Sequence, residues 1–513
     1  MAASPPTESI LSQWRAIVIC LIAAMGAFQF GYDTSYFSGI LVMDAFAEHY
    51  GTFDAATGAM VVSASRQSLV TSIINVGEFV GAVTAFWIGQ SIGLKGGLLL
   101  ACIIVVIGTT LQVAGTALGL LIAGRLVLGY AVGLISNFVP LYLADCAPAR
   151  VRGAIVSMYQ FNIGLGLIIG VCVDYSTKER TDTGAFRIPM AVQYIFPIIL
   201  SSGLLLFCPE SPRWLAAKNR IDDCTAALRR LKGPDADVQA DAQAIVQMLH
   251  QESLAGEGSS WRSIIKSSVE LRKAYLGCAL QALQQGTGIN FITGYGPYFF
   301  TVIGIENPFI IQVTLYVVGI PATWISQYGI EKMGRRPFLL ISGIPMAAAL
   351  MIMAGVGLNL QEANPTLAAS RTVVAMVFVY MIFFSFGWGP TVWVVCSEIA
   401  TGHNRNKLMT LSTSTNWFFN WLVSFVFPYL FNADAANLQT RVGFIYGSLT
   451  LAAVAWVFFL LPEPAGRSLE EIEFLFESRV PARKFSSTKV DLSANAEGEA
   501  PKAVALADIE HVN

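Results

Sequence analysis

Charge is what this sequence has least of. Asp, Glu, Lys and Arg make up 13% of its 513 residues, against 54% hydrophobic residues, and that charged fraction is roughly half the usual one. Mean hydropathy is +0.58. A soluble globule could not cover its surface with so few charges, and the chain is far too apolar to stay intrinsically disordered. The 32 basic residues balance 34 acidic ones, which leaves no bulk field for nucleic acid. The four histidines (His49, His250, His403, His511) are scattered. No metal-ligand spacing is visible, and neither a cofactor nor an enzymatic centre is expected. Several of the eight cysteines (Cys20, Cys102, Cys172, Cys278, Cys396) lie inside apolar runs, so they read as small packing residues and not as a disulfide framework. No N-glycosylation sequon occurs, since Asn364 precedes a proline. What remains is a polytopic membrane protein.

Apolar stretches near the roughly 20-residue length that crosses a bilayer as helix occur at 16–40, 69–90, 97–117, 119–143, 154–175, 190–208, 274–300, 308–329, 337–357, 372–396, 408–431 and 441–461. They are numbered spans 1 to 12 below. Span 1 is too long for a cleavable signal peptide, and no clear small-residue cleavage site follows it. With the N-terminus inside, 25 of the 32 Lys and Arg residues fall on the cytoplasmic side and six on the outer side. The bias predicts that both termini are cytoplasmic. The expected organisation is a disordered N-terminus (1–14), a six-helix bundle (15–208), a charged helical linker (209–273), a second six-helix bundle (274–461) and a mostly disordered tail (462–513). Stretches 221–231 and 238–249 of the linker read as helical.

The two halves echo each other at one offset. Asp145 and Arg152 follow span 4 as Glu398 and Arg405 follow span 10, and Pro209-Glu210 ends span 6 as Pro462-Glu463 ends span 12. Each pair is 253 positions apart, which argues for a duplicated six-helix unit. Two parallel six-helix halves are one of the repeat arrangements of transporters, with the substrate at the interface.

Six signatures occur in order: Phe30-Gly31-Tyr32-Asp33, Gly124-Arg125, Pro209-Glu210-Ser211-Pro212-Arg213-Trp214, Gln284-Gln285-Gly286-Thr287-Gly288-Ile289-Asn290, Gly334-Arg335-Arg336, and Pro462-Glu463 with Gly466-Arg467-Ser468-Leu469-Glu470-Glu471. In these the chain resembles the sugar porter family of the major facilitator superfamily, and within it the fungal monosaccharide (hexose) transporters, over about 25–475. The resemblance implies an all-α integral membrane fold of twelve transmembrane helices in two pseudo-symmetric six-helix bundles. There are departures. Residues 89–96 keep only Lys95 of the family's acid and paired bases between spans 2 and 3. Gly294-Tyr295 stands for a tyrosine pair, Gly319 for a span 8 asparagine and Leu167 for a second span 5 glutamine. The last three imply a less polar pocket.

A sugar presents hydroxyls that donate and accept, and an apolar C–H face. Amide side chains match the first and aromatic rings the second. The resemblance implies that Gln160, Gln284, Gln285, Asn290, Trp393, Asn416 and Trp417 line the central cavity, with Trp388 beside them. The plainer alternative is helix–helix hydrogen bonding for the amides and packing or interface anchoring for the tryptophans. Asp33, Glu78 and Arg125 are ionisable groups in apolar runs, which tend to face protein or a water-filled cavity. By residue counting Asp33 and Arg125 lie at one depth, roughly 10 Å and 9 Å below the outer ends of their spans, with Glu78 roughly 13 Å down. They can therefore pair. The resemblance implies a proton switch in Asp33 and Arg125, since a carboxylate facing a guanidinium stays ionised and takes a proton more readily once the two separate. The alternative is a permanent structural pair. Glu78, between Gly77 and Gly81, is either a second proton site or a glutamate hydrogen-bonded across closely packed helices.

On the cytoplasmic side stand Asp145, Arg152, Glu210, Arg213, Glu331, Arg335, Arg336, Glu398 and Arg405. They are either solvated charges worth little or, as the resemblance implies, a gate of inter-helix ion pairs that closes the inside and breaks on opening. The reading is a transporter, not an enzyme. It moves a monosaccharide, with a hexose expected, by alternating access with proton symport. A facilitator and a polyol or quinate carrier are the alternatives. A non-transporting sugar sensor is disfavoured by a tail of only about 50 residues after span 12, since sensors of this fold in fungi generally bear long cytoplasmic tails. The expected partners are a sugar, a proton and the lipid bilayer, with no nucleic acid; the functional unit is expected to be a monomer in the plasma membrane.

Overall fold

The computed structural model describes residues 14–54, 58–147, 152–233, 238–255, 261–358, 367–402, 404–467, 469–491 and 502–505. The N-terminal stretch before Trp14, residues 492–501 and 506–513, and the side chain of Arg152 lie outside the described residues. The chain is a twelve-span helical membrane protein that divides into two compact units. One holds spans 1–6 and most of the linker; the other holds spans 7–12 and the segment after them.

Among the described residues, eight helical segments are long and apolar enough to cross a bilayer. One of them, Ala64–Val113, is spans 2 and 3 joined across Gly93, whose φ of 85° and ψ of 176° mark a sharp reversal. Spans 5, 7 and 11 are not among the eight. These helices carry the amides Gln160, Gln281, Gln284, Gln285, Asn290 and Asn416, and polar side chains lower hydropathy where a membrane helix faces protein or water instead of lipid. Span 7 is moreover broken into Ser268–Gly286 and Ile289–Gly294, with Gly288 between them at φ 87°. Broken helices inside membranes are tolerated where other groups satisfy the freed backbone. Here the Tyr380 hydroxyl donates to the Thr287 carbonyl at 3.1 Å.

In the first unit spans 2 and 4 pack backbone to backbone. A Cβ on Gly77 would strike the Leu126 carbonyl, one on Gly81 the Tyr130 carbonyl, and one on Gly133 the Glu78 carbonyl. Small residues four apart permit this close approach. Glu78 thus sits on a helix turn with no room to yield. The eight cysteines are free. Six are buried, as packing residues should be, but Cys172 is exposed.

The linker begins with the helix Pro212–Ala217, capped by Ser211, whose side chain accepts from the Trp214 N–H. Proline at the first helical position and serine at the cap form a strong start signal. Helices Ile221–Lys232 and Gln239–Ala255 follow, and they match the two stretches read as helical. The segment after span 12 is more ordered than its composition predicts. Helix Leu469–Glu477 buries Ile472, Leu475 and Phe476. The fully buried Lys273 of span 7 ties it down, reaching Glu270 at 2.9 Å and also Glu473.

The internal repeat has a structural counterpart. Glu210 accepts from the N–H groups of Leu94 (2.9 Å) and Lys95 (3.0 Å), the first residues of span 3 after Gly93. Glu463 accepts from the N–H groups of Arg335 (3.0 Å) and Arg336 (2.8 Å), the first of span 9 after Gly334, whose φ is again 85°. Both glutamates cap a helix N-terminus, where orphan N–H groups and the helix dipole favour a carboxylate.

Candidate functional site

Three groups of polar side chains occur where apolar ones would be expected, each within one unit. The first surrounds Asp33, Glu78 and Arg125, which are 2–3% exposed. The expected Asp33–Arg125 ion pair is not formed. Arg125 Nε donates to the Val70 carbonyl at 2.8 Å and Nη1 to the Tyr36 hydroxyl at 3.2 Å, while the guanidinium carbon lies 3.7 Å from the centre of the Phe37 ring. Tyr36 in turn donates to Gln112 Oε1 at 2.8 Å. Asp33 Oδ1 and Glu78 Oε2 are buried with no hydrogen-bond partner. The depth argument brings the three ionisable groups into one cluster, but it cannot see that a tyrosine one turn along from Asp33 takes the arginine.

Sequence reasoning missed Tyr36, Gln112 and a further acid. Asp174 is fully buried, and neither of its carboxylate oxygens has a partner. It lies against Gly39, where a Cβ would collide with it. It escaped notice because Tyr175, Ser176, Thr177 and Lys178 follow it and make it look like the wet end of span 5. Gln160, on the same span, is exposed.

The second group is an amide cluster between spans 7, 10 and 11. Gln284 Nε2 donates to the carbonyls of Trp388 (2.8 Å) and Gly389 (3.1 Å), where span 10 passes through a π-helical turn, Phe384–Trp388. Its Oε1 accepts from Asn416 Nδ2 at 3.1 Å, and the same Nδ2 donates to Gln281 Oε1 at 2.7 Å. Asn290 Nδ2 donates to Gln285 Oε1 at 3.1 Å and to the Asn420 carbonyl at 3.3 Å. The sequence-predicted Gln284, Gln285, Asn290 and Asn416 are therefore neighbours. Gln281, which completes the cluster, was passed over because it lies before the Gln284-Gln285 motif. Of the tryptophans, Trp388 is fully buried and its indole donates to the Leu339 carbonyl at 3.0 Å. Trp417 is buried, and Trp393 is 39% exposed.

The third group lies at the linker-side ends of the helices. Arg335 bridges Glu398 at 2.6 Å and Glu331 at 3.2 Å. Glu398 therefore pairs with Arg335, and Arg405, exposed near the start of span 11, forms no ion pair among the described residues. Glu210 is a helix cap, with the N–H groups of residues 94–96 engaging its oxygens. Asp145 accepts from the Ser211 hydroxyl. Lys95 Nζ donates to the Cys208 carbonyl at 2.8 Å, and Arg336 donates to the Phe458 carbonyl. In the glutamate-capped turn of the first unit Leu94 and Lys95 hold the places that Arg335 and Arg336 hold in the second, so one cation stands where the second unit has two.

A family model described as "Sugar (and other) transporter" matches residues 19–476. The chain is 37% identical to the Major facilitator-type transporter ecdD of Aspergillus rugulosus, over 90% of this chain and 87% of that one. It is 33% identical to the "Probable glucose transporter rco-3" of Neurospora crassa, over 90% of this chain and 79% of that one. Its fold is similar to an inward-open structure of the xylose transporter XylE from E. coli, with a TM-score of 0.73 at 23% identity, over 90% of this chain and 99% of that one.

Proposed function

Since the chain belongs to the sugar transporter family of the major facilitator superfamily, we propose that it carries a monosaccharide, a hexose, across the plasma membrane by alternating access with proton symport. The observation that carries the sugar reading is the amide cluster of spans 7 and 11. Gln285 Nε2, Asn290 Oδ1 and Asn416 Oδ1 make no hydrogen bond with the described residues and are not among the buried unpartnered atoms. They supply one donor and two acceptors, which suits a molecule whose hydroxyls do both. The exposed Trp393 adds an aromatic face in the same unit, and Gln160 is assigned to the lining by the family resemblance alone. Trp417 belongs to the same lining.

The proton reading is supported by Asp33. A buried carboxylate with an unpartnered oxygen, in a cluster with one arginine already engaged elsewhere, can exchange a proton without a permanent counter-ion holding it. Arg125 acts as the fixed positive charge of the switch, and Glu78, also short of a partner, serves as a second proton site. The charges at the linker-side ends, expected to be cytoplasmic, act as the gate, with Arg335 and Glu398 at its centre; Arg152 and Arg213 belong to it by sequence. A facilitator is the second reading. It is favoured by Arg125 having the Val70 carbonyl, Tyr36 hydroxyl and Phe37 ring as partners, which gives it a structural role without Asp33. The test is uptake of labelled hexoses by a yeast lacking its own hexose carriers, with and without a protonophore. Uptake against a gradient that the protonophore abolishes supports symport. Protonophore-insensitive uptake makes the protein a facilitator, and uptake of quinate or a polyol alone would replace the hexose.

A further inference from the structure

Spans 1 and 5 meet along matched stripes of small residues. On span 1 the stripe is Gly31, Ser35 and Gly39, and on span 5 it is Gly166, Gly170 and then Asp174, each step four residues long. A Cβ on Gly31 would strike the Ile163 carbonyl, one on Gly166 the Phe28 carbonyl, and one on Gly170 the Ser35 hydroxyl. This spacing lets two helices approach backbone to backbone. At its outer end the pattern calls for a third small residue on span 5, and an acid stands there instead. Its side chain lies against Gly39, where an added Cβ would come within 2.6 Å of the carboxyl carbon. Asp174 is fully buried, and neither of its oxygens has a partner. Close packing explains the glycines but not a carboxyl wedged between them.

A carboxylate away from water needs donors or a cation, and this seat supplies neither. The Ser35 hydroxyl donates to the Tyr32 carbonyl at 3.2 Å, and Thr177 donates to the carbonyls of Val173 and Asp174, both at 3.3 Å. On span 1 the Tyr32 hydroxyl donates to the Pro189 carbonyl and that of Tyr36 to Gln112. Asp33 lies roughly 9 Å further in along span 1, counted from Gly39 at 1.5 Å per residue. Arg125 of span 4 is held by Val70 and Tyr36, and Arg187 of span 6 lies 5.9 Å from the centre of the Phe186 ring. On span 5 itself Cys172 is exposed, and Lys178 turns to the Tyr175 ring and to Glu179 at 3.8 Å. No cation pairs with Asp174 among the described residues. The side chain therefore fits this seat as the neutral acid. Water is little more than a turn away, where Glu179 and Arg180 are exposed. We propose that Asp174 is a proton-binding site separate from the coupling cluster: a proton from the side on which span 5 ends, expected to be the outside, clamps the outer half of span 1 against span 5, and its loss frees that half. Span 1 can yield there, because its helix is interrupted at Met25 and Gly26–Ile40 forms a segment of its own. Acid on the outside then favours the clamped state whether or not a proton travels with the sugar.

Melting of the purified protein and uptake by cells test this, each in wild type and in Asp174→Asn, which has the shape of the neutral acid and cannot ionise. The seated acid keeps a proton that the unfolded chain has given up, so rising pH favours unfolding. The thermal midpoint of wild type should fall as pH rises, and that of Asp174→Asn should fall less. In cells held at one membrane potential, initial hexose uptake by wild type should decline with rising outer pH more steeply than uptake by the variant, by up to about tenfold per pH unit, the limit for one proton. The number of protons accompanying each sugar should be the same in both. Surface amount is checked by biotinylation. A side chain that only fills space would shift the midpoint equally at every pH, so parallel melting curves overturn the inference. It is also overturned by a variant that loses its coupled proton, and by a decline that follows the inner and not the outer pH. A variant that fails to fold overturns it too, since a neutral isostere should seat as the acid does. A wild type that takes up no hexose removes the sugar reading and leaves the pH slopes of the two melting curves to decide.

Discussion

Arg125 donates to the hydroxyl of Tyr36 at 3.2 Å, while Asp33, three residues earlier on the same helix, has a buried oxygen with no partner. The arginine is thus held by a carbonyl, a hydroxyl and a ring, and not by the acid. Tyr36 also donates a hydrogen bond to Gln112 Oε1 at 2.8 Å, so it links spans 1, 3 and 4. Tyr36→Phe removes both hydrogen bonds from a buried site, at a cost of about 1–3 kcal/mol. The expected outcome is a lower thermal midpoint of the purified protein with the proton-to-sugar ratio unchanged. A lost proton flux with normal stability would instead make the tyrosine part of the proton path.

The engaged and unengaged amides should respond differently to truncation. Gln285→Ala and Asn290→Ala remove atoms open to a solute and should raise the apparent KM for the transported hexose by the equivalent of about 1–3 kcal/mol, with normal surface expression. Gln284→Ala leaves the carbonyls of Trp388 and Gly389 and the NH2 of Asn416 without their partner, and it should lower thermal stability as well as transport. Saturation kinetics and a melting curve on the same three variants separate the two effects. Unchanged KM in Gln285→Ala and Asn290→Ala would remove them from the sugar site.

Much of this architecture is legible in the sequence because a bilayer imposes a simple code. Twelve apolar runs appear as helices, with edges shifted by a few residues, and Gly93 and Gly334 mark two reversals between them. What could not be read is which polar group each charge chooses. Glu210 and Arg213 look like a pair three residues apart, yet the glutamate caps span 3 because orphan N–H groups lie closer to it in space. Glu398 and Arg405 share a repeat offset with Asp145 and Arg152, but Arg335 reaches Glu398 first from another helix. Asp174 was hidden by the polar residues after it, and Gln281 by the stronger motif beside it. The tail helix Leu469–Glu477 was missed because its contacts are distant in sequence, among them Lys273 with Glu473, 200 positions apart. Each miss is a tertiary choice among partners that are equivalent in one dimension.

The charges on the linker side are asymmetric between the repeats, since the turn capped by Glu210 carries Leu94 and Lys95 where the turn capped by Glu463 carries Arg335 and Arg336. The gate should therefore depend on the second unit. Replacing Arg335 and Arg336 by glutamine leaves Glu398, whose side chain is only 20% exposed, without its cation; breaking such a pair costs on the order of 3 kcal/mol. Removing contacts made in one state shifts the population toward the other. The double variant is expected to favour the inward-open form, to slow uptake, and to increase labelling of cysteines placed on the linker side. Labelling equal to wild type from both sides counts against a gate at these residues, while Lys95→Gln serves as the control with a smaller expected effect.

The last prediction concerns Asp33. Its surroundings on span 1 are Phe28, Phe30, Tyr32 and Phe37, where a lasting unpaired charge is costly. Arg125 is near enough to belong to the same cluster but is held elsewhere by Val70 and Tyr36. A carboxyl so placed can carry a proton inward with the sugar and release it when the environment changes, and an inside-negative potential adds about 2.3 kcal/mol per charge per 100 mV to the driving force. Asp33→Asn has the shape and hydrogen-bonding capacity of the protonated acid but cannot cycle. It is expected to abolish accumulation against a gradient while leaving sugar binding and counterflow exchange in place. The measurement is alkalinisation of a weakly buffered medium on adding hexose to energised cells, in wild type and Asp33→Asn side by side. Alkalinisation in wild type and none in the variant, with exchange retained, assigns the coupling to Asp33. Equal proton movement in both would transfer it to Glu78. Sugar uptake in wild type with no proton movement at all, unaffected by a protonophore, would reduce the cluster of Asp33, Glu78 and Arg125 to a buried polar scaffold in a facilitator.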